Sequence, residues 1–201
     1  MKKILAVLTI ASALLLTGCS QTNEAATVGD FKISQTDLQA SIDAVIAERA
    51  KVDSSQMQLE TGDALNRGQL RFKILMHTFD EIAKELKIEV TSSQVVAKKA
   101  TITQSVGGAT ELPKNLVNAA IAQADFDTYV RAIVISEKIT EALGASGVAE
   151  ADIADKLGEL LSAKAKQLGV KINPRYGVWD VEAGDVVAAN VTGDAVTPSA
   201  E

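Results

Sequence analysis

Apolar residues return along this chain mainly at helical spacing. The clearest run is Leu65, Phe72, Phe79 and Leu86, which recur every seven residues. Leu75 and Ile82 form a second seam, with Met76 and Ala83 beside it. This pattern predicts a long amphipathic helix over about 63–87, packed on other helices. Before it, Leu38, Ile42, Val45, Ile46 and Arg49 share a helical stripe reaching about Lys51. That stripe opens with Ser34-Gln35-Thr36-Asp37, a capping-box-like start with Asp37 where Glu or Gln is usual. The polar stretch 53–62 reads as a loop, in which Thr61 or Asp63 could cap the long helix.

Thr91-x-x-Gln94 has capping-box form and predicts a third helix near 92–105, with Val95, Val96, Ile102 and Val106 as its apolar positions. Gly107-Gly108 lacks the surrounding residues of a phosphate loop and reads as a breaker. Pro113 suits the first turn of a helix over about 114–122. Asp125 then caps a long helix, where Phe126, Val130, Ile133 and Val134 lie on one stripe. Tyr129, Ile135, Ile139 and Leu143 widen that surface, so several sides are covered. The last helix runs over 149–168, with Ile153, Leu157, Leu160, Leu161 and Leu168 buried and Gly169 closing it.

Two stretches alternate instead. Thr27 to Ile33 reads as a tight hairpin, with Gly29-Asp30 in a primed turn. Val170-Lys171-Ile172-Asn173 reads as a strand that returns to complete the sheet begun by that hairpin, because a two-stranded hairpin does not stand alone. The expected fold class is therefore mainly α with a small sheet. From 181 to 201 the chain is small, acidic and rich in Gly, Ala and Val, which predicts a disordered tail.

The N-terminus changes the setting of this domain. Lys2 and Lys3 precede an apolar run from Ile4 to Leu16, the layout of a secretory signal. That run is shorter than the roughly 20 residues a membrane span needs. It ends in Leu16-Thr17-Gly18-Cys19, which has the form of a bacterial lipobox. The expected processing removes 1–18 and attaches lipid to Cys19, leaving 19–26 as a tether. The alternatives are a soluble signal with an ordinary thiol, or a buried structural cysteine. The expected location is the cell membrane, lipid-anchored on the extracytoplasmic side, since two acyl chains hold where one exchanges.

Charge and composition narrow the partners. The 201-residue chain carries a net charge of −6, and the signal segment would take away two lysines and no acid. Such a protein does not seek nucleic acid by charge. With one cysteine there is no intrachain disulfide, and aromatics make up only 3%, so stability rests on aliphatic packing. No G-x-S-x-G or HExxH occurs. His77, the one histidine, lies off the apolar seam and reads as a surface residue. The acid pairs Asp125/Asp127 and Glu150/Asp152 are two apart, on different helix faces. No catalytic residue, metal site or cofactor is expected. Tyr176 and Trp179 stand outside the helical periodicity and are the candidate polypeptide-binding residues, with packing back onto the domain as the alternative.

Three stretches carry a resemblance. Ala26-Thr27-Val28-Gly29-Asp30-Phe31-Lys32-Ile33-Ser34-Gln35-Thr36-Asp37-Leu38 resembles the hairpin-into-helix opening of the SurA/PrsA-type chaperone N-terminal domain. Ala122 to Arg131, with Phe126, Tyr129, Val130 and Arg131, resembles a later helix of that domain. Asn173 to Asp180 is similar to its closing segment in lipoproteins. The resemblance spans about 25–180 and implies a SurA N-terminal/trigger-factor-like helical peptide-binding domain over 27–180. It implies a chaperone-like lipoprotein that binds unfolded or exported polypeptides without nucleotide or metal. Many relatives insert a parvulin domain before the last helix, where this chain has only Gly144 to Val148, so prolyl isomerase activity is not expected. The alternative is a non-catalytic lipoprotein that docks one folded envelope partner.

Overall fold

The computed structural model describes residues 23–189. The expected signal 1–18, Cys19 and the end of the expected tail, 190–201, lie outside the described residues. Strands β1 (Glu24–Val28) and β2 (Phe31–Ser34) form the hairpin, with Val28 opposite Phe31. Gly29, at φ 59, supplies the left-handed residue at the first turn position, as a II′ turn requires. Its amide donates to the Leu168 carbonyl at 2.8 Å, which pins the turn to the far end of the chain.

Residues 24–26, expected to belong to a tether, are part of the sheet. Ala25 and Ala26 are buried, and β1 already begins at Glu24. A register shift between Glu24 and Ala26 turns these consecutive alanines inward, so they show no alternating pattern. Strand β3 (Lys171–Ile172) pairs antiparallel with β1, giving the order β2-β1-β3. The two ends of the domain therefore meet in one sheet, as the sequence predicts.

Six helices fill the space between. Helix α1 (Gln35–Arg49) starts with the expected capping box: the Asp37 amide donates to Ser34 Oγ at 3.0 Å, and the Ser34 hydroxyl donates to the Asp37 carboxylate at 2.7 Å. Helix α2 (Gly62–Glu85) is the central strut, and Thr61 precedes it without a side-chain cap bond. Helix α3 (Ser92–Ser105) carries the Thr91/Gln94 capping box, and all its residues keep some exposure. Ion pairs of Lys98 with Glu137 and Lys99 with Asp127 hold it in place. Helix α4 (Leu112–Asn118) is shorter than predicted, because the chain leaves it through Ala120 at φ 52.

Helix α5 (Phe126–Ala145) is covered on several sides, as its broad apolar surface predicts. Asp125 makes no cap bond and belongs instead to the 3₁₀ turn Gln123–Asp125. Helix α6 (Glu150–Leu168) ends at Gly169, φ 69. Of its residues only Ala165 is fully buried; Leu157, Leu160, Leu161 and Leu168 pack half-buried.

Beyond β3, residues 181–189 of the expected disordered tail are ordered. Strands β4 (Val178–Asp180) and β5 (Asp185–Val187) pair in a second hairpin. Asp180 Oδ1 accepts from the amides of Glu182 and Ala183, which builds the turn, and Val186 inserts into the core at 3% exposure. Arg71 Nε on α2 donates to the Gly184 carbonyl at 3.2 Å and reaches Asp185 at 3.4 Å. Composition hides this hairpin because short valine strands between Gly, Ala and acid look like linker.

The core has three parts. The sheet, α1 and the first half of α2 enclose Val28, Ile33, Leu38, Leu70 and Ile74. The second half of α2 meets α5 and α6 around Ile82, Ile135 and Ile139. Phe126 and Val130 pack with Leu116 and Ile121 in the third. On α2 the buried line runs Leu70, Ile74, Thr78 and Ile82, four residues apart, not along the predicted seven-residue seam. Leu86 at the end of that seam is 50% exposed, as is Ile46 on α1.

Candidate functional site

A cleft of about 630 Å³ opens between the first hairpin, α1, α2 and the start of α5. Its walls follow from local sequence. Phe31 and Ile33 come from β2, and Ala40 and Ala44, four apart, present one small-residue row of α1. Phe72 and Met76 form the matching row of α2. Because the α1 row is alanine, the two helices leave a gap where larger side chains would have closed it.

Charge rims this apolar floor. Asp37, Asp80 and Asp125 stand at the edge with Lys73. Hydrogen bonds from the Ser34 hydroxyl and amide hold the Asp37 carboxyl below the ordinary carboxylate value. Arg131 Nε donates to Asp80 Oδ1 at 2.9 Å, while its Nη1 donates to the Val90 carbonyl at 3.2 Å. That pair ties α5 to α2 and to the α2–α3 link. A second cleft of about 430 Å³ lies beyond it and shares His77 and Asp80 with the first.

His77 stands at the joint of the two clefts. Contrary to the surface position expected for it, the ring is half-buried and stacks on Phe31, with centroids 4.2 Å apart and planes 17° from parallel. Phe31 at the hairpin turn supplies the partner, a contact that helical spacing does not reveal. Burial pushes the imidazole below its ordinary value; Lys84 adds to this, while Glu81 and Asp80 oppose it. The fold thus favours neutral His77, and the unfolded chain takes up the proton first. Stability from this site is complete above about pH 6.5 and declines as pH falls through that value. His77→Gln is expected to lessen the drop in Tm between about pH 7 and pH 5. Parallel Tm–pH curves for the two proteins would contradict it.

Tyr176 and Trp179 lie elsewhere. Both are half-buried and pack against the first core cluster, Tyr176 in the 3₁₀ turn Pro174–Tyr176 and Trp179 in β4. Arg175 covers the Tyr176 ring at 5.3 Å, and the Trp179 Nε1 is buried without a hydrogen-bond partner among the described residues. The packing alternative describes their position, and the structure does not bring them to the cleft. Helical spacing places Phe72 and Met76 in the core and gives no weight to Ala40 and Ala44, whose small size four residues apart on α1 is the local signal of a gap.

Among the described residues, no group of three or more His, Cys, Asp or Glu is placed to hold a metal ion, and no helix is long and apolar enough to cross a membrane. Comparison with known proteins finds no matching family model, curated protein or solved structure.

Proposed function

We propose that this protein is a chaperone-like lipoprotein that binds unfolded or exported polypeptides, held by Cys19 on the extracytoplasmic side of the cell membrane. The open cleft between the first hairpin, α1 and α2 is the observation that carries this reading. Its floor is apolar and its rim is charged, so it can take up an exposed apolar segment without closing over it. Binding, not catalysis, is the activity assigned: no prolyl isomerisation and no nucleotide enter the scheme. The SurA-like resemblance of the hairpin-into-helix opening points the same way. Anchoring would keep a weak binder concentrated where exported chains emerge.

Ala40 offers the cleanest test, since it is exposed on α1 and lines the cleft. Ala40→Trp fills the gap while changing stability by no more than about 0.5 kcal/mol. The wild-type protein is expected to slow aggregation of an unfolded reporter at micromolar concentration, and Ala40→Trp to lose most of that effect. Equal protection by both proteins would place binding elsewhere. A single stoichiometric partner in crosslinked membranes, with no effect on the reporter, would favour docking of one folded envelope protein.

A further inference from the structure

We infer that the cleft takes its client as an added β-strand: an extended polypeptide segment pairs its main chain with the outer edge of β2. This rests on the polypeptide-binding reading above and specifies how that site holds a chain. In the sheet order β2-β1-β3, β2 is an edge strand. Phe31, Lys32 and Ile33 all line the cleft, although side chains of consecutive strand residues point to opposite faces. A cleft touched by three consecutive residues reaches the main chain of the strand as well as one of its faces, and β2 is the strand whose outer edge is unpaired in the sheet.

Register says which main-chain groups are available there. Val28 and Phe31 flank a two-residue turn and exchange both hydrogen bonds; pairs then alternate along the ladder. Lys32, opposite Thr27, is the next pair, so its N–H and C=O point away from β1, towards the cleft. The side chain does not cover that edge, because Lys32 Nζ reaches back to Glu24 at 2.6 Å. Beyond Lys32 the edge stops, since the Ser34 amide turns to Asp37 Oδ2 at 3.4 Å to cap α1. The strand therefore offers a short docking rail beside an apolar floor formed by Phe72 and Met76. Main-chain pairing supplies affinity without demanding a sequence, and alternate client side chains fall onto that floor. A binder of many clients needs this combination.

The probe is a short Val- and Thr-rich peptide, unmodified or methylated at every backbone nitrogen, with the same side chains. The unmodified peptide is expected to bind and to slow exchange of the Lys32 amide hydrogen. The methylated peptide cannot donate, and is expected to bind roughly five-fold or more weakly. Equal affinity of the two peptides, or a Lys32 amide that exchanges unchanged in the complex, overturns strand addition while leaving polypeptide binding in place. No binding of the unmodified peptide, together with no protection of an unfolded reporter, removes both.

Discussion

Gly177→Ala is expected to lower stability by about 3 kcal/mol or more, which for a domain of this size is roughly 6–12 °C in Tm. Gly177 has φ 123 and ψ −153, a region open essentially to glycine alone. A Cβ built there would lie 2.1 Å from the Val187 carbonyl oxygen. Neither atom can yield cheaply, because Val187 pairs with Val178 in the second hairpin and Gly177 follows the Pro174–Tyr176 turn directly. The expected structural result is displacement of β4–β5 and exposure of Val186, with α1–α5 retained. A thermal melt within 2 °C of the wild type, on the order of 0.5 kcal/mol, would show that the hairpin adapts and is not a fixed part of the core.

Gln69→Leu is expected to cost about 2–4 kcal/mol, although it swaps one side chain for another of similar size. Gln69 is 2% exposed and joins three elements. Its Oε1 accepts from the Ser41 hydroxyl on α1 at 2.8 Å, and its Nε2 donates to the Ala120 carbonyl after α4 at 2.7 Å. Ala120 sits at φ 52, a strained position for a residue with a Cβ, and this hydrogen bond helps hold it. Leucine leaves the buried Ser41 hydroxyl and the partly buried Ala120 carbonyl unpaired, and a stranded buried group costs about 1–3 kcal/mol. Ser41→Ala combined with Gln69→Leu is expected to cost less than the sum of the single changes, because the stranded hydroxyl is gone. Additive losses in urea denaturation would show that the three groups do not act together.

Most of the architecture is legible in the sequence because the signals are local. Both capping boxes, the Gly29-Asp30 turn and the Gly169 stop each depend on a few adjacent residues, and each lies where the pattern puts it. The return of β3 to β1 was legible only through the argument that a lone hairpin needs a third strand. What the sequence hid depends on distant neighbours. The buried side of α2 is set by three surrounding helices at once, so a four-residue line through Ile74 and Thr78 displaced the heptad seam. Thr78 is fully buried because its hydroxyl donates to the Ile74 carbonyl at 2.8 Å within its own helix.

The candidate site was hidden for a related reason. A cleft arises where side chains are too small to meet, and Ala40 and Ala44 carry no pattern that separates a gap from ordinary helix surface. Tyr176 and Trp179 stand out in the sequence as aromatics outside helical spacing, yet their size is what packs them against the core. Phe31 has the opposite fate: at the hairpin turn it remains 41% exposed and meets His77 at the mouth of the cleft.

The most direct test is backbone hydrogen exchange of the protein with and without a bound unfolded reporter, mapped residue by residue. Slower exchange is expected along Phe31 to Ala44 and Phe72 to Asp80, the two walls of the cleft. Protection confined to Pro174 to Val187, around Tyr176 and Trp179, would contradict this account, as would binding that protects neither wall.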